Sequence, residues 1–431
     1  MNYNEAIAYI NDTNKFGSRL GLTSISKLMD ILGNPQDELK IIHVAGTNGK
    51  GSTSSYLASC LKAAGYDVGL FTSPYLERFN ERIKINGIDI VDDSLTRLTL
   101  RVKEACDQMV ESGYEHPTTF EIITALAFLY FKEEGVDYVV LEVGLGGRFD
   151  ATNVIKNSLA AVITTIDYDH MKELGDSLAK IAYEKAGIIK ENGIVVSYEQ
   201  AEEAAQVIRQ VSEENKAKLF ISKKDRVEIL DITDKGNVFN YSFRDQAFEN
   251  IRTSMIGEHQ IYNAALAITT LLVLRDEGLI QISNEHIYEG IFNSRWNGRL
   301  EVLNRDPIFL IDGAHNGQGI KQLVKSLKIF NYNRLILGLG ILKDKDVDQM
   351  IDILAPFADV IVVTEVKMPR KLDAEKLANK LNKYHKEIYI HRDIREAVEK
   401  AISLAREDDL ILFGGSLYLI GDVRTIVKNL L

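Results

Sequence analysis

The sequence is short of the residues that staple or stiffen a chain. Only two cysteines, Cys60 and Cys106, occur in 431 residues. Each sits in a helix-like pattern far from the other, which points to free buried thiols in a reducing compartment rather than a disulfide framework or a metal site. Six prolines leave no long rigid linker between domains. No stretch approaches the ~18 uninterrupted apolar residues of a membrane span. Met1-Asn-Tyr-Asn-Glu-Ala6 lacks the charged and apolar regions of an export signal, so a cytoplasmic protein without membrane contact is expected. Positive charge is also in deficit: 51 Lys and Arg against 62 Asp and Glu give a net charge of −11. That balance argues against a nucleic-acid surface, and any anionic substrate must be held by local donors. Low-complexity tracts and short internal repeats are absent.

What is present is an alternation of apolar runs with amphipathic helical stretches, which predicts α/β layering around a mostly parallel sheet. A chain this long exceeds one core and suggests a large and a small domain. Strands are expected at 40–45, 67–72, 138–143, 159–166 and 193–197. A hairpin with a glycine turn at Asp234-Lys-Gly236 is expected over 226–243, then a helix over 260–275. The pattern restarts near Arg295-Trp296-Asn297-Gly298-Arg299, with further strands at 308–311, 334–339, 360–363 and 410–413. The expected division is 1–296 and 297–431.

The most informative segment is Ile41-Ile-His-Val-Ala-Gly46-Thr-Asn48-Gly49-Lys50-Gly51-Ser52. An apolar strand, a glycine turn and a helix-like segment over 53–64 present backbone N–H groups and a helix N-terminus to phosphate oxygens. Lys50 supplies a point charge and Ser52 an oxygen for Mg²⁺, although Gly51 separates the two and departs from the strict P-loop pattern. The second strand ends in Thr72-Ser73-Pro74. Ser73 lies near the phosphate turn if the two strands are neighbours, and is otherwise an ordinary loop residue. Glu142 closes an apolar strand, where a carboxylate is costly unless paired or metal-bound, and is a candidate Mg²⁺ ligand. The following Gly-Leu-Gly146-Gly147 is no dinucleotide fingerprint, because Asp150-Ala-Thr-Asn153 reads as loop rather than helix. His170 follows Asp167-Tyr-Asp169 at another strand end and is either a ligand or a structural hydrogen-bonder; Mg²⁺ prefers oxygen. Lys185 sits in a small, apolar helical setting. It is either a lysine of lowered pKa or the partner of Glu184 in a surface ion pair.

Together these segments resemble the folylpolyglutamate synthase/dihydrofolate synthase group of the Mur ligase superfamily. The resemblance runs from His43 through Ser52, Thr72-Ser-Pro, Phe79-Asn-Glu-Arg-Ile83, Thr119-Phe-Glu121, and Glu142 through Asn153. It continues through Asp169-His170, Glu184-Lys-Ala-Gly-Ile188, Gly257-Glu-His-Gln260, Asn263-Ala-Ala265, Gly298-Arg-Leu-Glu301 and Asp312-Gly-Ala-His-Asn316. So many matches in one order, over nearly the whole chain, are highly specific. The chain departs at Asn297, where the family often has proline, and at Ser177, which replaces a threonine but keeps the hydroxyl. The resemblance implies an α/β fold with a large P-loop-type, mostly parallel domain and a smaller Rossmann-like C-terminal domain. It implies that Gly46 and Asn48 through Ser52 hold the phosphates of ATP, with Asn263, Arg299 and Asp312 as further nucleotide contacts. Ser52, Ser73, Glu142, His170 and Lys185 are implied at two Mg²⁺ ions, Lys185 as a carbamylated lysine, and His315 near the phosphates.

The implied reaction transfers the ATP γ-phosphoryl group to the γ-carboxylate of a folate's terminal glutamate. The amine of an incoming L-glutamate then attacks the acyl phosphate. Such chemistry needs positioning and charge neutralisation more than covalent help. Three alternatives stand beside it: a bifunctional enzyme that also joins glutamate to dihydropteroate, using the loop from Gly146 to Asn153; a cell-wall ligase of the same superfamily; and a P-loop switch or binding module that forms no amide. A monomer is expected.

Overall fold

The computed structural model describes residues 1–17 and 21–430. The N-terminal half is organised on an eight-stranded sheet built from β1 (Ile41–Ala45), β2 (Val68–Phe71), β3 (Ile83–Ile85), β4 (Ile88–Asp89), β5 (Tyr138–Glu142), β6 (Ala160–Ile163), β7 (Ile194–Tyr198) and β8 (Lys218–Ser222). The order is β4-β3-β2-β5-β1-β6-β7-β8. In the run from β2 to β8 all pairings are parallel, and β3 near one edge pairs antiparallel with both β2 and β4. Every residue of β1, β2, β5, β6 and β7 is buried. This is why these strands read as continuous apolar runs rather than alternating ones. The chain leaves β1 for β2 on one side and later adds β6 on the other. The loop after β1 therefore opens at the point where strand order reverses, the usual ligand crevice of such a sheet.

A second, antiparallel sheet of β9 (Val227–Thr233), β10 (Gly236–Phe243) and β11 (Gln246–Thr253) extends the expected hairpin by one strand. Its buried Phe239, Tyr241, Phe248 and Ile251 join the core above the helix Glu258–Asp276. That helix is buried from Gln260 to Leu274 except at Tyr262, because it lies between two sheets and has no face left for solvent.

The smaller C-terminal domain has six strands: β12 (Glu301–Arg305), β13 (Ile308–Ile311), β14 (Leu335–Leu339), β15 (Val360–Val363), β16 (Glu387–Ile390) and β17 (Leu410–Gly414). Their order is β12-β13-β17-β14-β15-β16, parallel except for β12. Helices cover both faces, and Phe309 stacks on Phe413 with ring centroids 5.6 Å apart. The expected fold class is thus observed. Cys60 and Cys106 are free and buried in helices Lys50–Ala63 and Asp92–Glu111. Among the described residues no helix is long and apolar enough to cross a membrane.

Candidate functional site

The turn after β1 is shaped by what surrounds it. Gly46 has φ +154°, and a Cβ there would sit 1.7 Å from the Thr164 Oγ1, so only glycine fits. Thr164 and Thr165 hydroxyls donate to the Asn48 carbonyl at 2.7 and 3.1 Å, and Thr47 N donates to Thr165 O at 2.7 Å. These bonds tie the turn to the end of β6. The helix Lys50–Ala63 then begins at once. Its unpaired N-terminal amides point into a cleft of ≈ 680 Å³ lined by Gly46 through Ser52, Ser73, Glu142, His170, Lys185, Asn263, Arg299, Asp312 and His315.

Two lysines share one acceptor at the base of this cleft. Lys50 Nζ donates to Gly46 O at 3.1 Å and Lys185 Nζ to the same oxygen at 2.9 Å. Lys185 is buried in the helix Leu178–Ala186, so the surface ion pair with Glu184 does not form. Burial first, and then the Lys50 charge, bring its pKa down to about 7. Ser177 caps that helix by accepting from Lys180 N at 3.3 Å, which keeps the capping role open to either hydroxyl residue.

Glu142 ends β5, and β5 lies between β1 and β2. The strand carrying Ser73 is therefore not a neighbour of β1; Ser73 reaches the site through Glu142, whose Oε2 accepts from Ser73 N at 3.3 Å. Burial pushes the Glu142 carboxyl up to about 7, with Lys50, Arg299 and Arg82 pulling the other way. The consequence for stability has a definite sign. The folded state holds the proton more tightly than the unfolded chain, whose ordinary value is 4.5. Without ligands, stability should therefore fall as pH rises from about 4.5 to about 7, by on the order of 3 kcal/mol from this group. Urea titrations of wild type and Glu142→Gln should diverge across that window, the variant becoming relatively more stable towards pH 8. A constant difference would show that Glu142 keeps an ordinary pKa.

The loop after β6 carries Asp169 and His170. His170 has φ +49° and lies 3.9 Å from both Asp169 Oδ1 and Glu173 Oε2. Burial opposes ionisation of Asp169, but Lys345, His170 and His315 together hold its pKa well below the usual range. Asp169 also joins the two domains, accepting from Lys345 Nζ at 3.2 Å and Asn316 Nδ2 at 3.1 Å. Asn48 is bridged in the same way, accepting from Asn316 Nδ2 at 3.1 Å and donating to Gln318.

The C-terminal domain contributes the opposite wall. Asp312 follows β13 and accepts from Leu300 N and Ala314 N, both at 2.8 Å. Burial raises its pKa, with Arg299 countering. Its present work is to hold Leu300, at φ +44°, and so fix the turn that presents Arg299. His315 Nδ1 lies 2.8 Å from Gly313 O; a carbonyl only accepts, so Nδ1 carries the hydrogen and Nε2 the lone pair. Burial and Lys345 bring its pKa down to about 4, so it is neutral at pH 7. Asn263 donates to Gln260 at 3.1 Å and packs where a Gly49 Cβ would stand.

The residues expected at the phosphates, the nucleotide and the metal ions thus border one cleft, whereas of the loop from Gly146 to Asn153 only Gly146 does. Lys345 and Gln318 were not among them: both occupy loops or helix starts beyond β13 and β14, and only their place at parallel-strand ends could have drawn notice. Outside the cleft, Glu365, Asp373 and Glu375 converge, but Lys371 and Arg392 already neutralise them.

Comparison with known proteins follows this geometry. Residues 44–271 match the Mur ligase middle domain and residues 298–417 the Mur ligase glutamate ligase domain. The chain is 40% identical to the dihydrofolate synthase/folylpolyglutamate synthase of Bacillus subtilis, over 99% of each chain. It is similar to the structure of Mycobacterium tuberculosis folylpolyglutamate synthase complexed with ADP and AMPPCP, with a TM-score of 0.89, 32% identity and coverage of 98% and 99% of the two chains. It is also similar to E. coli FolC in complex with DHPP and ADP, with a TM-score of 0.87, 28% identity and 98% of each chain covered.

Proposed function

The chain belongs to the Mur ligase family, in its folylpolyglutamate and dihydrofolate synthase branch, and from that premise we propose how its residues carry out the ligation. It is an ATP-dependent, amide-forming ligase that adds L-glutamate to the γ-carboxylate of a folate. The observation that carries the assignment of roles is the convergence of Lys50, Glu142, Lys185, Arg299 and His315 on one cleft between the domains, whose division we place at residue 297.

Gly46, Asn48, Gly49, Lys50, Gly51 and Ser52 hold the phosphates through main-chain N–H groups and one ammonium. Asn263 and Asp312 border the nucleotide, and Arg299 brings a second cation to the transferring phosphoryl group from the other domain. Glu142 supports a divalent ion: it is buried, has one amide partner and, among the described residues, no ion pair, and it stands with the hydroxyls of Ser52 and Ser73 as hard oxygen donors suited to Mg²⁺. His170 and a carbamylated Lys185 would hold a second ion. Bound there, Mg²⁺ supplies charge neutralisation for carboxylate and phosphate oxygens brought together. The folate carboxylate takes the γ-phosphoryl group and ADP leaves. The incoming ammonium gives one proton to solvent, the freed amine bonds to the acyl carbon as the acyl–phosphate C–O bond breaks, and its second proton leaves with the departing phosphate. Neutral His315 offers its Nε2 lone pair to that amine without adding charge. One copy of the chain carries every residue named, and we assign a cytoplasmic monomer.

Mass spectrometry of products formed from tetrahydrofolate with ATP, Mg²⁺ and glutamate tests the reading; phosphate release without glutamate, and no amide, would instead mark a nucleotide switch. The Bacillus subtilis relative, named for both activities, favours a second reaction on dihydropteroate, with the loop from Gly146 to Asn153 receiving the pterin. The same assay with dihydropteroate decides it. Because the two domains share one site, closure should precede chemistry. ATP and tetrahydrofolate together should give a smaller radius of gyration by solution scattering than either alone. An unchanged profile would count against a closing step.

A further inference from the structure

Arg82 stands in the segment Phe79-Asn-Glu-Arg-Ile83, and no step above uses it. Its carbonyl accepts from Thr72 N at 3.0 Å, which sets it across from the strand end that carries Ser73. Its guanidinium carbon lies 5.1 Å from the centre of the Tyr75 ring and 5.7 Å from that of Phe79. Its Nε is buried with no hydrogen-bond partner. Among the described residues no carboxylate pairs with it. The contrast with its neighbours is sharp: Arg78 pairs with Asp92 at 2.9 Å, and Arg424 with Glu77 and Glu301. Glu81, next in sequence, is engaged by the amides of Leu76, Glu77 and Arg78 at 2.9, 2.9 and 2.8 Å. Burial lowers the Arg82 pKa, while Tyr418 of the C-terminal domain, Tyr75 and Glu142 oppose that. Arginine nevertheless stays protonated in proteins.

A cation partly withdrawn from water, with its Nε buried and unpartnered and no counter-ion at hand, is stabilised by an arriving anion. The phosphates have their own cradle at residues 46–52, and the reacting γ-carboxylate is consumed. Three carboxylates pass through the reaction unchanged, the α-carboxylate of the folate's terminal glutamate and the α- and γ-carboxylates of the incoming one, and the α-carboxylate is the group that both substrates present. We propose that Arg82 binds this α-carboxylate where the two domains meet, with Tyr75 and Phe79 fixing the plane of its fork. A planar guanidinium suits bidentate carboxylate binding, and the rings hold it without neutralising it. The proposal rests on the ligase reading.

The test is steady-state kinetics of wild type, Arg82→Ala, Arg82→Met and Arg82→Lys with tetrahydrofolate as acceptor. Methionine keeps a stem to pack on the rings if alanine impairs folding. Loss of the charged contact should raise one KM by roughly 10- to 100-fold, leave the KM for ATP unchanged, and be partly restored by lysine. A rise for glutamate places the α-carboxylate on the incoming amino acid, and a rise for tetrahydrofolate places it on the acceptor. If neither KM moves in the folded variants, or the KM for ATP moves equally, the proposal is overturned and Arg82 only braces its loop. Wild-type enzyme without glutamate-dependent phosphate release would sink the ligase reading itself, which is a separate outcome.

Discussion

Lys50→Ala is expected to lower ligase turnover by roughly 10²- to 10³-fold, as loss of a preorganised charge at a transition state does. The effect should fall mainly on kcat, because a phosphoryl group in flight carries charge that ground-state ATP leaves hydrated. Two features make the lysine hard to replace. Its Nζ is fixed by the Gly46 and Thr47 carbonyls at 3.1 and 3.3 Å, so it is in place before substrate arrives. It also contributes, after burial, to the lowered pKa of Lys185 and the restrained pKa of Glu142. Removing it should therefore raise Lys185 and Glu142 together. Near-normal turnover in the alanine variant would mean that the turn at residues 46–52 does not hold the phosphates.

Lys185→Ala should be about as damaging, and its repair should be diagnostic. A buried ammonium 2.9 Å from the carbonyl that also binds Lys50 is in a poor place for a positive charge. With a pKa of about 7 much of it is a free amine at neutral pH, the form that adds carbon dioxide. The carbamate carries one negative charge and two oxygens, which turns repulsion from Lys50 into attraction. If that is the working form, wild-type activity should fall in carbon-dioxide-depleted buffer and return with bicarbonate. Lys185→Ala should lose roughly 10²- to 10³-fold and regain part of it with a small carboxylate such as formate or acetate. A bicarbonate-independent wild type, together with an alanine variant that no carboxylate rescues, would leave Lys185 acting as an amine.

Much of this was legible in the amino-acid order because buried parallel strands and their C-terminal loops leave strong signals. Ile308–Ile311 and Val360–Val363 have the expected ends, since both are apolar on both faces. Lys218–Ser222, Glu301–Arg305 and Glu387–Ile390 escaped notice because each is an edge strand, half exposed and polar, where the sheet rather than the side chains dictates the conformation. The strand Gln246–Thr253 was hidden in the same way by alternating polar positions. For the cleft, Glu142 could be read because an acid closing an apolar strand needs a reason. The separation of Ser73 from the turn by a whole strand could not, since strand order is a tertiary property. Nor could the ties of Asp169 to Lys345 and of Asn48 to Gln318, which span more than a hundred residues.

Arg424 is held by an acid from each lobe, Glu77 and Glu301, and Gly421 beside it abuts the Leu76 carbonyl so closely that a Cβ would stand 1.9 Å from that oxygen. Such a seam resists sliding. The lobes are left with rotation about it, as a door turns on its pin. On such a hinge the ties of Asn48 to Gln318 and of Asp169 to Lys345 are expected to be the ones that part and re-form as the cleft opens and closes.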